Sequence, residues 1–214
     1  MVKLFKKCLS ANYIQVENDA NYCIQREGNK LYILFQETSS KIDWKNNFDF
    51  PAKPYKDMGI TWYCHRGFLR VWKSIEPYIE DAIDDITVES IDLIGYSHGS
   101  AIATICHEYI WYHRPDLREH LRTFAFGSPR FFWGFRMSDS LKERWKGVTI
   151  IRNGNDIVTH LPPVLFGFRH VTDYIINLTR AEQEEFVPFK IINDHFPLNY
   201  INSMNNYPDI NLGE

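Results

Sequence analysis

Four cysteines are spread over 214 residues, at Cys8, Cys23, Cys64 and Cys106, and no two form a C-x-x-C pair. That spacing removes redox dithiol and zinc-ribbon chemistry from consideration. H-E-Y-I-W at residues 107–111 lacks the second histidine of H-E-x-x-H, and no Cys/His set has ligand spacing, so no metal is expected. There is no phosphate-binding glycine loop, no repeat and no low-complexity run, and no cofactor is called for. No stretch approaches the ~20 apolar residues of a membrane span, so no transmembrane segment is expected. The charge is not basic either: formal net charge is −3 and pI about 6.2, which argues against a nucleic-acid partner. Lys3, Lys6 and Lys7 are read as a solvated terminus. The apolar stretch of a secretory leader is missing after them, which predicts a cytoplasmic protein with reduced, mostly buried cysteines.

What is present is a chain of single-domain length, read as one domain over residues 1–214. It is 44% hydrophobic and 15% aromatic, the latter a surplus that often lines a pocket. Residues 21–26 and 30–36 read as a hairpin across Glu27-Gly28-Asn29. Residues 39–63 have no clear period and contain Pro51, Pro54 and Gly59 among Trp44, Phe48, Phe50 and Tyr55. Structureless loops of that length are usually functional, and residues 44–63 are a candidate lid or, equally, a loop packed over the sheet. Helical spacing at Phe68, Val71, Trp72, Ile75, Ile79 and Ile83 predicts a helix that Pro77 should kink or split. Strands are predicted at 90–95, 122–127, 148–152 and 173–178, and helices at 100–113 and 138–146. That alternation predicts an α/β fold with a largely parallel sheet.

The informative motif is G-Y-S-H-G at residues 95–99. A serine nucleophile on a sharp strand-to-helix turn projects its hydroxyl above the sheet edge. The turn leaves no room for side chains two residues before and after, hence Gly95 and Gly99. The following helix aims its N-terminal N–H groups at the reacting oxygen. I-D-L-I before and S-A-I-A-T-I-C after supply the strand and helix the motif needs.

A serine also needs a base and an acid that orients it. Asp156 stands out among the acids, because it follows the strand V-T-I-I-R in an N-G-N-D turn at the expected edge of the sheet. His160, His170 and His195 are the histidines downstream of it. His160 is too near Asp156 to reach across, His170 suits a structural role, and His195 lies in a loop free to approach. Spacing alone favours His195 and leaves all three open.

Several ordered blocks resemble the class 3 lipases. G-Y-S-H-G-S-A is similar to their nucleophile elbow, and F-Q-E-T-S-S-K-I-D-W at 35–44 to their oxyanion segment. H-R-G-F at 65–68, F-G-S-P-R at 126–130, N-G-N-D-I-V-T-H-L-P-P at 153–163, F-R-H-V at 168–171 and D-H-F-P-L-N-Y at 194–200 resemble further blocks in the family's order. The resemblance spans roughly residues 20–202. It implies an α/β-hydrolase fold, a central mostly parallel sheet flanked by helices, with a candidate lid loop over the site. It implies a serine carboxylic ester hydrolase acting on lipid acyl esters, acylglycerol or phospholipid, through an acyl-enzyme. A transacylase and a non-catalytic lipid-binding relative are the alternatives. The substrate would be a lipid or small ester, with transient contact to a lipid surface. Carried over residue by residue, the resemblance makes Ser97 the nucleophile, Asp156 the acid and His195 the base, and puts the oxyanion hole at Thr38 and the backbone N–H of His98; His65, His160 and His170 receive no triad role. Two departures stand out: Gln36-Glu37 replaces the family's Arg-Gly, placing a carboxylate beside the oxyanion site, and Ser100 replaces a glycine after the elbow.

Overall fold

The computed structural model describes residues 1–36, 51–56, 58–180 and 190–207. Its main sheet has seven strands in the order β1-β2-β3-β6-β7-β9-β11. These are β1 (Ile14–Gln15), β2 (Asn21–Glu27), β3 (Lys30–Gln36), β6 (Ser90–Tyr96), β7 (Leu121–Phe126), β9 (Val148–Asn153) and β11 (Ile175–Leu178). β1, β2 and β3 pair antiparallel, and β3, β6, β7, β9 and β11 pair parallel. The predicted hairpin is β2–β3, in register from Asn21↔Gln36 to Glu27↔Lys30. A second, antiparallel sheet has the order β10-β8-β5-β4, from β4 (Ala52–Tyr55), β5 (Trp62–His65), β8 (Phe132–Trp133) and β10 (Phe168–Arg169).

The buried parallel strands alternate their apolar residues between two cores. Ile33, Ile91, Leu93, Ala125 and Ile150 face one cluster, while Leu34, Ile94, Phe124, Phe126 and Ile151 face the other. Period-two projection makes each strand line both faces, which is why their sequences read as near-continuous apolar runs. The first core is covered by α2 (Arg66–Ile83) and α3 (His98–His113). The second is covered by α1 (Val2–Leu9) and α6 (Pro197–Asn205), through Phe5, Cys8, Tyr200 and Met204. Two further helices among the described residues are short, α4 (Asp139–Arg144) and α5 (Lys190–Asn193).

Two expectations change. The stretch at 39–63 is not structureless where it is described: Ala52–Tyr55 and Trp62–His65 pair as a hairpin, with Tyr55, Met58 and Trp62 buried in the first core. The remainder of the candidate lid, residues 44–50 and 57, lies outside the described residues. Pro77 neither ends nor divides α2, which runs on to Ile83. Pro77 and Lys73 both face solvent, so water can meet the carbonyl whose helical donor proline removes. The lysine cluster is solvated as expected, with Lys3 and Lys6 exposed, and it is also helical, since Lys3, Lys6 and Lys7 belong to α1. Lys7 bonds Gln25 at 2.9 Å and Glu27 at 2.7 Å on β2 and lies over the Tyr32 ring.

Candidate active site

Ser97 sits between the end of β6 and the start of α3, with φ 55° and ψ −127°. A non-glycine residue there carries strain of about 1–3 kcal/mol, which the surroundings must hold in place. Its N–H bonds the Phe126 carbonyl on β7 at 2.9 Å, and its carbonyl accepts from the N–H of Ser100 at 3.0 Å and from the Ser100 hydroxyl. Ser100, the departure after the elbow, therefore ties down the turn. The two glycines are demanded by close approach. A Cβ on Gly95 would lie 2.4 Å from the Gly99 carbonyl oxygen, and one on Gly99 would lie 2.3 Å from that of Phe35. The strand, turn and helix thus pack backbone to backbone.

Asp156 follows β9 and is fully buried. It caps the short 3-10 turn Ile157–His160, Oδ1 accepting the Val158 N–H at 2.9 Å. That cap fixes the carboxylate and leaves Oδ2 turned to two donors, His195 Nδ1 at 2.8 Å and the Tyr200 hydroxyl at 2.6 Å. A carboxylate only accepts, so Nδ1 carries the imidazole proton and Nε2 offers its lone pair to the Ser97 hydroxyl, 2.8 Å away. The structure therefore brings together the three side chains expected from the sequence, across separations of 59 and 39 positions.

The imidazole is held from more than one side. Its ring stacks on Tyr96 at 5.2 Å, and the Tyr96 hydroxyl donates to the His195 carbonyl. Gly127, at φ +60°, passes so close that a Cβ would stand 3.0 Å from His195 Cε1 and 3.1 Å from Asp156 Oδ2. Burial, and then the charge of Asp156, push the Tyr200 phenol well above its ordinary range, so it stays a donor. Spacing along the chain assigns Tyr200 and Gly127 no role. Their signal lies in space, at positions meeting Asp156, and not in spacing along the chain.

His65, His160 and His170 have other partners or places. His65 is buried and caps α2, its Nδ1 accepting the Gly67 N–H at 3.2 Å. His160 is exposed at the end of its 3-10 turn. His170 lies just after β10, its Nε2 2.9 Å from the Thr159 carbonyl oxygen, and burial lowers its pKa to about 4. His98 is the first residue of α3, its ring edge-on to Phe68 at 4.9 Å, so its N–H belongs to the helix end beside Ser97. Thr38 and Glu37 lie outside the described residues. Among the described residues no His/Cys/Asp/Glu group could hold a metal ion, and no helix is long and apolar enough to cross a membrane.

Comparison with known proteins places these features in a family. A sequence model of "Lipase (class 3)" matches residues 32–166. A secreted mono- and diacylglycerol lipase 1 from Fusarium solani is 28% identical over 134 residues, 61% of this chain and 38% of that protein. A secreted mono- and diacylglycerol lipase MDL5 from Malassezia globosa is 32% identical over 133 residues, 57% of this chain and 40% of that protein. The chain thus spans about two-fifths of the length of these curated relatives. The structure of lipase II from Rhizopus niveus superposes with a TM-score of 0.68 at 22% identity, covering 89% of this chain and 79% of that one, and shares its α/β-hydrolase fold. The secreted relatives overturn one expectation: the cytoplasmic location rested on the first residues alone, and these relatives are named as secreted. By the match over residues 32–166, and with a sheet, elbow and turn order in keeping with it, the chain belongs to the class 3 lipase family.

Proposed function

We propose that the protein is a serine-dependent carboxylic ester hydrolase acting on lipid acyl esters, with Ser97 as nucleophile, His195 as base and Asp156 as the acid that orients it. One observation carries this reading: the unbroken chain of bonds from Ser97 Oγ to His195 Nε2 and from His195 Nδ1 to Asp156 Oδ2, each 2.8 Å. Ser97 Oγ attacks the ester carbonyl carbon as its proton passes to Nε2, and Asp156 stabilises the resulting imidazolium. The tetrahedral oxyanion is received by the His98 N–H at the positive end of α3 and by Thr38. Collapse expels the alcohol with the proton from Nε2. Water, deprotonated by the same imidazole, then attacks the acyl-serine and releases the acid. The described residues are read as one domain, since both cores share one sheet.

Lipid esters are favoured by the surroundings. A second 3-10 turn, Val164–Phe166, exposes all three of its side chains, and the segment around His195 exposes Ile192, Phe196 and Leu198. Apolar side chains on both segments suit a water–lipid boundary. The relatives named as mono- and diacylglycerol lipases favour acylglycerols. The test is turnover of a chain-length series of p-nitrophenyl acyl esters by wild type and Ser97→Ala. Turnover that vanishes in Ser97→Ala is expected, and undiminished turnover in the variant contradicts the reading. Inclusion of a competing alcohol with product analysis separates hydrolysis from acyl transfer.

A further inference from the structure

Asp194 precedes the proposed base, and its own side chain takes no part in the Ser97–His195–Asp156 chain. It is fully buried, and three donors converge on its carboxylate. Arg180, two residues beyond β11, donates from Nε to Oδ1 at 2.6 Å and from its terminal nitrogen to Oδ2. The third is the N–H of Asn155, 2.8 Å from Oδ2 and adjacent to Asp156 in the chain. The backbone joins in, as Asn153 Nδ2 donates to the Asp194 carbonyl at 2.9 Å. Gly154, at φ +49°, makes room: a Cβ there would lie 2.7 Å from Asp194 Oδ2 and 3.4 Å from Arg180 Cβ. Gly154 also bonds the Leu178 carbonyl at 3.0 Å. Three segments that are distant in sequence, the ends of β9 and β11 and the His195 segment, therefore meet at one carboxylate.

We propose that the Arg180–Asp194 ion pair is a positioning device that seats the His195 segment on the turn carrying Asp156 and so sets the imidazole–carboxylate geometry; this rests on the triad reading above. A two-armed guanidinium fixes both the place and the plane of a carboxylate, which a point charge does not. Asp194 directly precedes His195, and Asn155 directly precedes Asp156, so each end of the clamp is one peptide from a reacting side chain. Displacement of a catalytic group by an ångström costs about a hundredfold in rate. A buried carboxylate that loses its partner does not keep its place.

The experiment compares wild type, Ser97→Ala, Arg180→Met and Arg180→Lys with a short p-nitrophenyl ester, at a temperature where circular dichroism shows each variant folded. Turnover by wild type and none by Ser97→Ala establishes the triad reading first; turnover that survives Ser97→Ala overturns that reading and this inference with it. Arg180→Met is then expected to lower kcat by roughly 10–100-fold while KM stays within about threefold, and to slow fluorophosphonate labelling of Ser97 in parallel. Arg180→Lys should fall between, because it keeps the charge and loses the second arm. Folded Arg180→Met with wild-type kcat overturns the positioning role and leaves the triad reading intact. Should Arg180→Met not fold, a folded Arg180→Lys with wild-type kcat overturns it equally.

Discussion

At the scale of single residues, the site depends on how one carboxylate is divided. Asp156 spends Oδ1 on the Val158 N–H and shares Oδ2 between His195 and Tyr200. A hydrogen bond to a charged group is worth about 1.5–3 kcal/mol. Tyr200→Phe should therefore lower kcat about tenfold or more with little change in KM, as steady-state kinetics on a soluble ester will show. The elbow glycines allow a second prediction. A methyl on Gly99 would meet the Phe35 carbonyl at 2.3 Å, backbone against backbone, so β3 and α3 must separate to admit it. Gly99→Ala should lose about 1–3 kcal/mol or more in denaturant unfolding, together with most activity. Ser97, Gly95 and Gly99 were legible because an elbow constrains residue types at fixed offsets. Asp156 and His195 needed the strand turn, the loop and the family blocks together. Tyr200, Asp194 and Arg180 were not legible, since their roles exist only once distant segments meet.

At the scale of elements, the parallel strands announced themselves as dense apolar runs. The α1 helix did not, because eight residues with three lysines hide the stripe that buries Phe5 and Cys8. The β4–β5 hairpin was obscured by Pro51 and Pro54, which suit an edge strand and its entrance. α3 is apolar on most sides because it is packed over the parallel strands and beneath α2, and it buries His107. His107 Nδ1 lies 2.8 Å from the Thr123 hydroxyl of β7, and burial lowers its pKa to about 3. A pKa depressed on folding stabilises the fold above the unfolded value of 6.5 and loses that contribution as pH falls toward 3. His170, lowered to about 4, acts in the same direction. Between pH 6 and pH 5 the unfolded chain binds protons at both positions that the fold does not, so stability should fall by roughly 1.4 kcal/mol per pH unit for each histidine. His107→Gln should remove about half of this two-histidine contribution to the slope, measured as unfolding free energy against pH.

At the scale of the whole molecule, one sheet separates two cores and carries the site at the C-terminal ends of its strands, where α/β folds place their chemistry. The second core lies beneath the triad. Phe5 of α1, fully buried, packs against Tyr96, Phe126 and Tyr200, and two of these three touch His195 or Asp156. Phe5→Ala should cost about 3–5 kcal/mol in unfolding free energy and lower kcat as Tyr96 and Tyr200 lose their backing. The α/β layering was legible from alternating strands and helices. The support given by the first helix was not, because it joins the two ends of the chain. The central claim is that an imidazole fixed by Asp156 makes the Ser97 hydroxyl nucleophilic, and covalent trapping tests it directly. Intact wild type treated with a fluorophosphonate should gain one adduct, mapped by peptide mass spectrometry to Ser97 and absent from Ser97→Ala. An adduct on another residue, or no adduct on folded wild type, would contradict the account.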